Sequence, residues 1–215
     1  MAYATPNDVR FWTGLSSSEI SDDKLTELIT YATSQVNRDI TVEEIREPVN
    51  YIDAVRENDN DGSTTKFYVK NYKWFLADRD NDGDVDTSDL TVYQIDTSTD
   101  PATESELTIS SIDSNDGSFT LSSAPSDNVE LYVTYNWCKV PYNHNLVKLA
   151  TCYLVAMMAN SGLMVGGIAR SFRIGEIQMV NNDMSTKHYL GLYQDVVSQI
   201  NNQMAEMVTN TAVPF

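Results

Sequence analysis

The stretch Val129-Glu130-Leu131-Tyr132-Val133-Thr134-Tyr135-Asn136-Trp137 decides the fold class. Val129, Leu131, Val133 and Tyr135 alternate with Glu130, Tyr132 and Thr134, the two-residue period of a half-buried strand. Past Val140-Pro141 the period changes. Leu146, Leu149, Ala150, Tyr153, Leu154, Met157 and Met158 recur at helical steps, which predicts a helix with a broad apolar face ending near Gly162. A strand region therefore passes into a helical one close to residue 138.

Upstream, residues 47–137 keep the strand character. Phe67-Tyr68-Val69, Trp74-Phe75-Leu76, Val92-Tyr93-Gln94-Ile95 and Leu107-Thr108-Ile109 are short runs rich in aromatic and β-branched residues. Asn115-Asp116-Gly117 marks a turn before the strand at Phe119-Thr120-Leu121. Polar linkers separate the runs. Before residue 47 the pattern is helical. Thr5-Pro6-Asn7-Asp8 starts a short helix that Gly14 ends. Ser21-Asp22-Asp23 starts a second, whose Leu25, Leu28, Ile29, Ala32, Val36 and Ile40 form one buried face.

After the helix that ends near Gly162, residues 166–177 are predicted as a loop with a short strand. A last helix runs from about Thr186, with Leu190, Tyr193, Val197, Ile200, Met204 and Met207 inward. The predicted fold is α+β: a helical bundle formed by the N- and C-terminal zones, with an inserted antiparallel β domain. Its parts are 1–46, the inserted domain 47–137, 138–207, and a C-terminal tail 208–215.

With 215 residues the chain can bury a core without disulfides. Its formal net charge of −17 gives little electrostatic grip on phosphate, which needs Lys and Arg. The start of the chain lacks the basic and apolar regions of a signal peptide, and no apolar run reaches the length of a membrane span. Folding in a cytoplasm without membrane attachment is the expectation. The two cysteines, Cys138 and Cys152, have no metal-type spacing; Cys152 reads as a small core residue, and a disulfide between the two stays open.

The sharpest motif is Asp78-Arg79-Asp80-Asn81-Asp82-Gly83-Asp84-Val85-Asp86-Thr87-Ser88-Asp89. Asp78, Asp80, Asp82, Asp86 and Asp89 fall at loop positions 1, 3, 5, 9 and 12, Gly83 at the sharp turn of position 6, and Asp84 at position 7. Calcium takes six to eight hard oxygen ligands, and this spacing wraps them round one point, Asp84 giving its backbone carbonyl. Val85 is placed to tuck under the loop. A structural calcium ion (Ca2+) is expected; the competing reading is a solvated acidic turn. The loop resembles those of EF-hands and, more closely, of dockerin modules. It departs from both: Asp89 replaces the usual Glu, the residues before it look like a strand, and there is no second loop. Glu57-Asn58-Asp59-Asn60-Asp61-Gly62 is acidic but lacks the following ligands.

No catalytic residues are predicted. His144 and His188 stand outside any ligand pattern, and no nucleophile elbow, P-loop or dinucleotide fingerprint is present. The chain is not expected to be an enzyme.

Thr5-Pro6-Asn7-Asp8-Val9-Arg10-Phe11-Trp12-Thr13-Gly14-Leu15, then Ser21-Asp22-Asp23-Lys24-Leu25 and a helix ending in Val36-Asn37-Arg38, resembles the N-terminus of head–tail connector (adaptor) proteins of tailed viruses. The strand Val129 to Trp137, running through Val140-Pro141 into an apolar helix, resembles the same family. The resemblance implies a helical bundle in a ring, usually of twelve subunits, in the neck of a virion assembled in the host cytoplasm. It implies portal protein on one side, a stopper or tail-completion protein on the other, and DNA passing through the lumen without sequence-specific binding. The C-terminal segment Val208, Thr209, Asn210, Thr211, Ala212, Val213, Pro214 and Phe215 matches the family's portal-binding tail; a frayed terminus is the plain alternative. Some ninety residues of β-structure, where many adaptors have a hairpin, are a departure from the family. A calcium-dependent binding or adhesion module, dockerin-like, is the alternative function.

Overall fold

The structure, a computed structural model, describes residues 2–49, 58–127, 129–161 and 175–202; within the last helix, side chains are described from residue 186. In order come α1 (Pro6–Thr13), α2 (Asp22–Ile40), β1 (Thr41–Pro48), β2 (Lys66–Tyr68), β3 (Phe75–Ala77), β4 (Thr91–Asp96), β5 (Thr103–Leu107), β6 (Ile109–Asp113), β7 (Ser118–Leu121), β8 (Val129–Cys138), α3 (Asn145–Ser161) and α4 (Gly175–Asn202). The chain divides into a helical unit, residues 1–40 with 142–215, and a strand unit, residues 41–141.

The expected helical bundle around one inserted antiparallel β domain does not hold. The fold is mixed α+β: among the described residues, four helices separated in sequence by a strand unit, and eight antiparallel strands in two sheets. A bundle needs helices of matched length with apolar stripes facing a shared axis. Here α1 has only 8 residues against 19 in α2, and α3 is buried on more than one face, at Val147, Ala150, Cys152, Leu154, Val155 and Ala156. Helices α1, α2 and α4 each lie against α3.

The starts and stops of the first helix obey local chemistry. Thr5 caps α1, its Oγ1 accepting from Asp8 N (3.2 Å) while Asp8 Oδ2 accepts from Thr5 N (2.9 Å). Gly14 ends the helix at φ 72, a left-handed cap whose N–H reaches Arg10 O. Tyr189 Oη donates to Thr13 O (2.9 Å), Lys148 pairs with Asp8 (3.3 Å), and Tyr193 Oη donates to the Asp39 carboxylate. These contacts close the helical unit on itself. No described helix is long and apolar enough to cross a membrane.

In the strand unit, β8 is the organising element. It pairs with β1 along one edge and with both β3 and β4 along the other, and β5 extends the sheet beyond β4. A second sheet, β2-β7-β6, faces the same core. Phe67, Phe119, Leu121, Val92, Leu131, Val133 and Tyr135 fill that core, with Phe67 and Phe119 stacked at 5.9 Å across the β2–β7 pair. The predicted inward residues of β8, Val129, Leu131, Val133 and Tyr135, are buried; Thr134, predicted outward, is buried as well.

Several boundaries move. Residues 41–46, read as the end of the helical zone, form β1; Glu43, Glu44 and Glu47 disguise a strand that exists because β8 offers it a partner edge. Leu107-Thr108-Ile109 splits: β5 ends at Leu107 in one sheet and β6 begins at Ile109 in the other. Helix α4 is already formed at Gly175, eleven residues before the predicted start. The rest of the predicted 166–177 loop, the inward Met204 and Met207, and the tail Val208 to Phe215 lie outside the described residues. Cys138 and Cys152 are free, buried thiols, and burial pushes each up to about 12.

Candidate metal centre

The acidic loop interrupts what is otherwise one strand. Ala77 at the end of β3 is opposite Asn136, and Thr91 at the start of β4 is opposite Thr134. Only Tyr135 of β8 lies between them. Residues 78–90 thus leave and rejoin the sheet two β8 positions apart, the geometry of a compact loop with fixed ends. The anchoring Tyr135 is fully buried; its Oη donates to Glu47 Oε2 (2.6 Å) and accepts from Asn71 Nδ2 (3.0 Å).

Within the loop each carboxylate turns the backbone. Asp78 is buried and accepts from Asn81 N (2.6 Å) and Gly83 N (2.8 Å). Asp80 accepts from Asp82 N (3.0 Å), and Asp82 from Asp84 N (2.9 Å). Asn81 and Gly83 take positive φ of 65 and 94; glycine meets the second at no steric cost. Val85 packs against the core of the strand unit, as its position in the motif predicts.

The loop brings three of the six candidate ligands together. One carboxylate oxygen each from Asp78, Asp80 and Asp82 lie within 4.8 Å of one another, a group that can hold a metal ion. Asp84, Asp86 and Asp89 are not in that group. Asp86 caps the short 3-10 helix Thr87–Asp89, accepting from Ser88 N and Oγ (2.7 Å each). Asp89 is buried and spends its oxygens on backbone N–H groups: Arg79 N (2.5 Å), Asp80 N (3.3 Å) and Asp86 N (2.8 Å). It ties the two ends of the loop together. Ser88, which the motif reading passed over, bridges Asp80 and Asp86 through Oγ. A hydroxyl at that position carries no ligand signal in the motif, so sequence spacing had no means of selecting it.

The electrostatics match a group short of positive charge. Burial pushes the Asp78 carboxyl above its ordinary range, and the charges of Asp80 and Asp82 push it further. Burial likewise raises Asp89, to about 6, with Asp78 adding to the shift. Asp86 goes the other way, held down by its Ser88 hydrogen bonds. A divalent cation among Asp78, Asp80 and Asp82 would cancel the mutual repulsion.

The raised Asp89 sets a sign for pH dependence. Its folded value, about 6, exceeds the ordinary unfolded value of about 3.9, so the cation-free folded state binds the extra proton between them. In chelator, the stability from this group is full below about pH 4 and is lost as pH rises through about 6, by at most about 3 kcal/mol. Urea titrations across that window are expected to show the loss, and Asp89→Asn to flatten it. Affinity for a cation runs oppositely: it weakens in acid, as the ligand carboxylates take up protons.

The sequence matches no protein-family model, and no curated protein matches it.

Proposed function

We propose that this chain is a non-enzymatic structural virion protein, a head–tail adaptor that forms a ring between portal and tail components, with a calcium ion stapling its strand unit. The observation that supports the reading is where the helices of the resembling stretches fall; the resembling strand β8 itself belongs to the strand unit. The capped α1 with α2, and the helix α3 that closes the second stretch, are about a hundred residues apart in the chain, yet both pack within one helical unit. In sequence the strand unit lies between these helices, and it holds the metal-type loop. Calcium is favoured over magnesium because the loop carries carboxylates at the spacing of a calcium loop, with glycine at the sharp turn; magnesium demands a near-octahedral shell and keeps its water. The loop leaves from and returns to strands, not the helices of a dockerin or EF-hand, so the adhesion-module reading has less support.

The ring is tested by mass. The subunit is 24.1 kDa, so twelve give about 290 kDa. Light scattering or native mass spectrometry of the full chain, alone and mixed with the portal protein encoded beside it, should find a ring alone or a stoichiometric portal complex. A chain that stays at the mass of one subunit both alone and with the portal protein is not an adaptor.

A further inference from the structure

The outer face of the five-stranded sheet carries chemistry that the core does not require. Register places Tyr93 opposite Tyr132 on β4 and β8, with Glu106 of β5 opposite Tyr93. These residues alternate with the buried Val92, Leu131 and Val133, so they face away from the core. The strand unit holds 21 of the 31 acidic and 7 of the 14 basic side chains, and so −14 of the formal −17.

One cation already sits on this face. The Arg46 guanidinium lies 5.1 Å from the centre of the Tyr93 ring and pairs with Glu104 at 2.6 Å. It is brought there by a bulge in β1 where Arg46 takes φ 54, a left-handed conformation costing a non-glycine residue about 1–2 kcal/mol. Beside it, Tyr132 donates to the exposed Glu130 (2.8 Å), and Glu106 is exposed. Among the described residues, two tyrosine rings and three glutamates thus share this arginine.

We propose that this face is a docking surface for an arginine-rich segment of a partner protein, whose guanidinium groups stack on Tyr93 and Tyr132 and pair with Glu106 and Glu130 as Arg46 does with Glu104. Charge complementarity selects this occupant. A second copy of the chain brings the same negative strand unit and is repelled, and nucleic acid is repelled more strongly. Arginine is favoured over lysine because its planar, weakly hydrated group stacks on a ring while its N–H fork holds a carboxylate.

The probe is fluorescein-labelled nona-arginine, with nona-lysine as the equal-charge control. Anisotropy is read on the full chain in calcium and about 150 mM salt, where long-range attraction is screened. Nona-arginine should bind about fivefold or more tighter than nona-lysine, and Tyr93→Leu should remove that preference. Arg46→Ala, which frees one tyrosine and one glutamate, should tighten nona-arginine several-fold, while Lys24→Ala, the same charge change on α2, should not. Equal affinity for the two peptides, a folded Tyr93→Leu that binds like wild type, or equal gains from Arg46→Ala and Lys24→Ala overturns the proposal. So does a dimer that Tyr93→Leu dissociates, since the occupant is then a second copy. If Tyr93→Leu does not fold, the two exposed-cation variants still decide.

Discussion

Calcium is expected to raise the melting temperature of the strand unit by on the order of 10 °C relative to chelator. An ion at ~100-fold excess over its Kd adds about 2.7 kcal/mol by mass action. A unit of about a hundred residues shifts by roughly 4–8 °C for each kcal/mol. The loop is the right place for so large an effect. It joins β3 to β4 on the edge of the central strand β8, so loosening it frees β3 and exposes the anchor at Tyr135. The informative variant is Asp80→Asn with Asp82→Asn. Both carboxylates are exposed, so neutralising them does little harm to packing. In chelator the variant should be as stable as wild type or more so, because the repulsion on buried Asp78 is relieved. In calcium it should be the less stable of the two. That crossing of signs separates a lost ion from general damage. Wild-type melting curves that coincide with and without calcium would remove the metal from the account.

Gly117→Ala is expected to destabilise the strand unit by about 4 kcal/mol or more, among the largest effects available to a single methyl group. Two costs add. Gly117 closes the β6–β7 turn at φ 58, where an alanine is strained by about 1–2 kcal/mol. A Cβ there also meets Tyr72, 2.4 Å from its backbone Cα and 2.9 Å from its Cβ, so the Val69–Tyr72 segment must move. That segment is fixed from both sides: Val69 N donates to Gly117 O (2.9 Å), and Asn71 binds Tyr135. Gly62→Ala is the matched control. Its φ of 74 is similar, but its nearest neighbour is Asp127 N at an ordinary 3.6 Å, so only the same conformational cost of about 1–2 kcal/mol remains. Two of the three tryptophans, Trp74 and Trp137, lie in the strand unit, so urea titration by fluorescence reports mainly on it. Equal losses for the two variants would mean that the Tyr72 backbone yields freely.

Much of the candidate centre was legible because its information is local. Asp78, Asp80 and Asp82 are gathered by turns of two to five residues, and the glycine that permits them lies within the same loop. Asp89 was legible as a member of the motif but not in its job. Whether its oxygens meet an ion or the N–H groups of Arg79, Asp80 and Asp86 depends on how the loop's far end folds back. The tyrosine face was hidden for a similar reason: Tyr93, Tyr132 and Arg46 are neighbours only once β4, β8 and β1 are in register.

The sequence by itself determined the inward face of β8, the capped start of α1, the turn at Gly117 and the acidic loop. Each is settled by residues within a turn or a strand length of one another, where burial period, capping and positive φ leave few choices. Tertiary structure decided that Thr41–Pro48 is a strand, that Leu107 and Ile109 belong to different sheets, and that the helices do not form a bundle. Those outcomes turn on which free backbone edge and which apolar face each segment meets. The partners stand up to about ninety residues apart: β1 is held by β8, and its glutamates are tolerated there because Glu44 and Glu47 satisfy Trp137 and Tyr135.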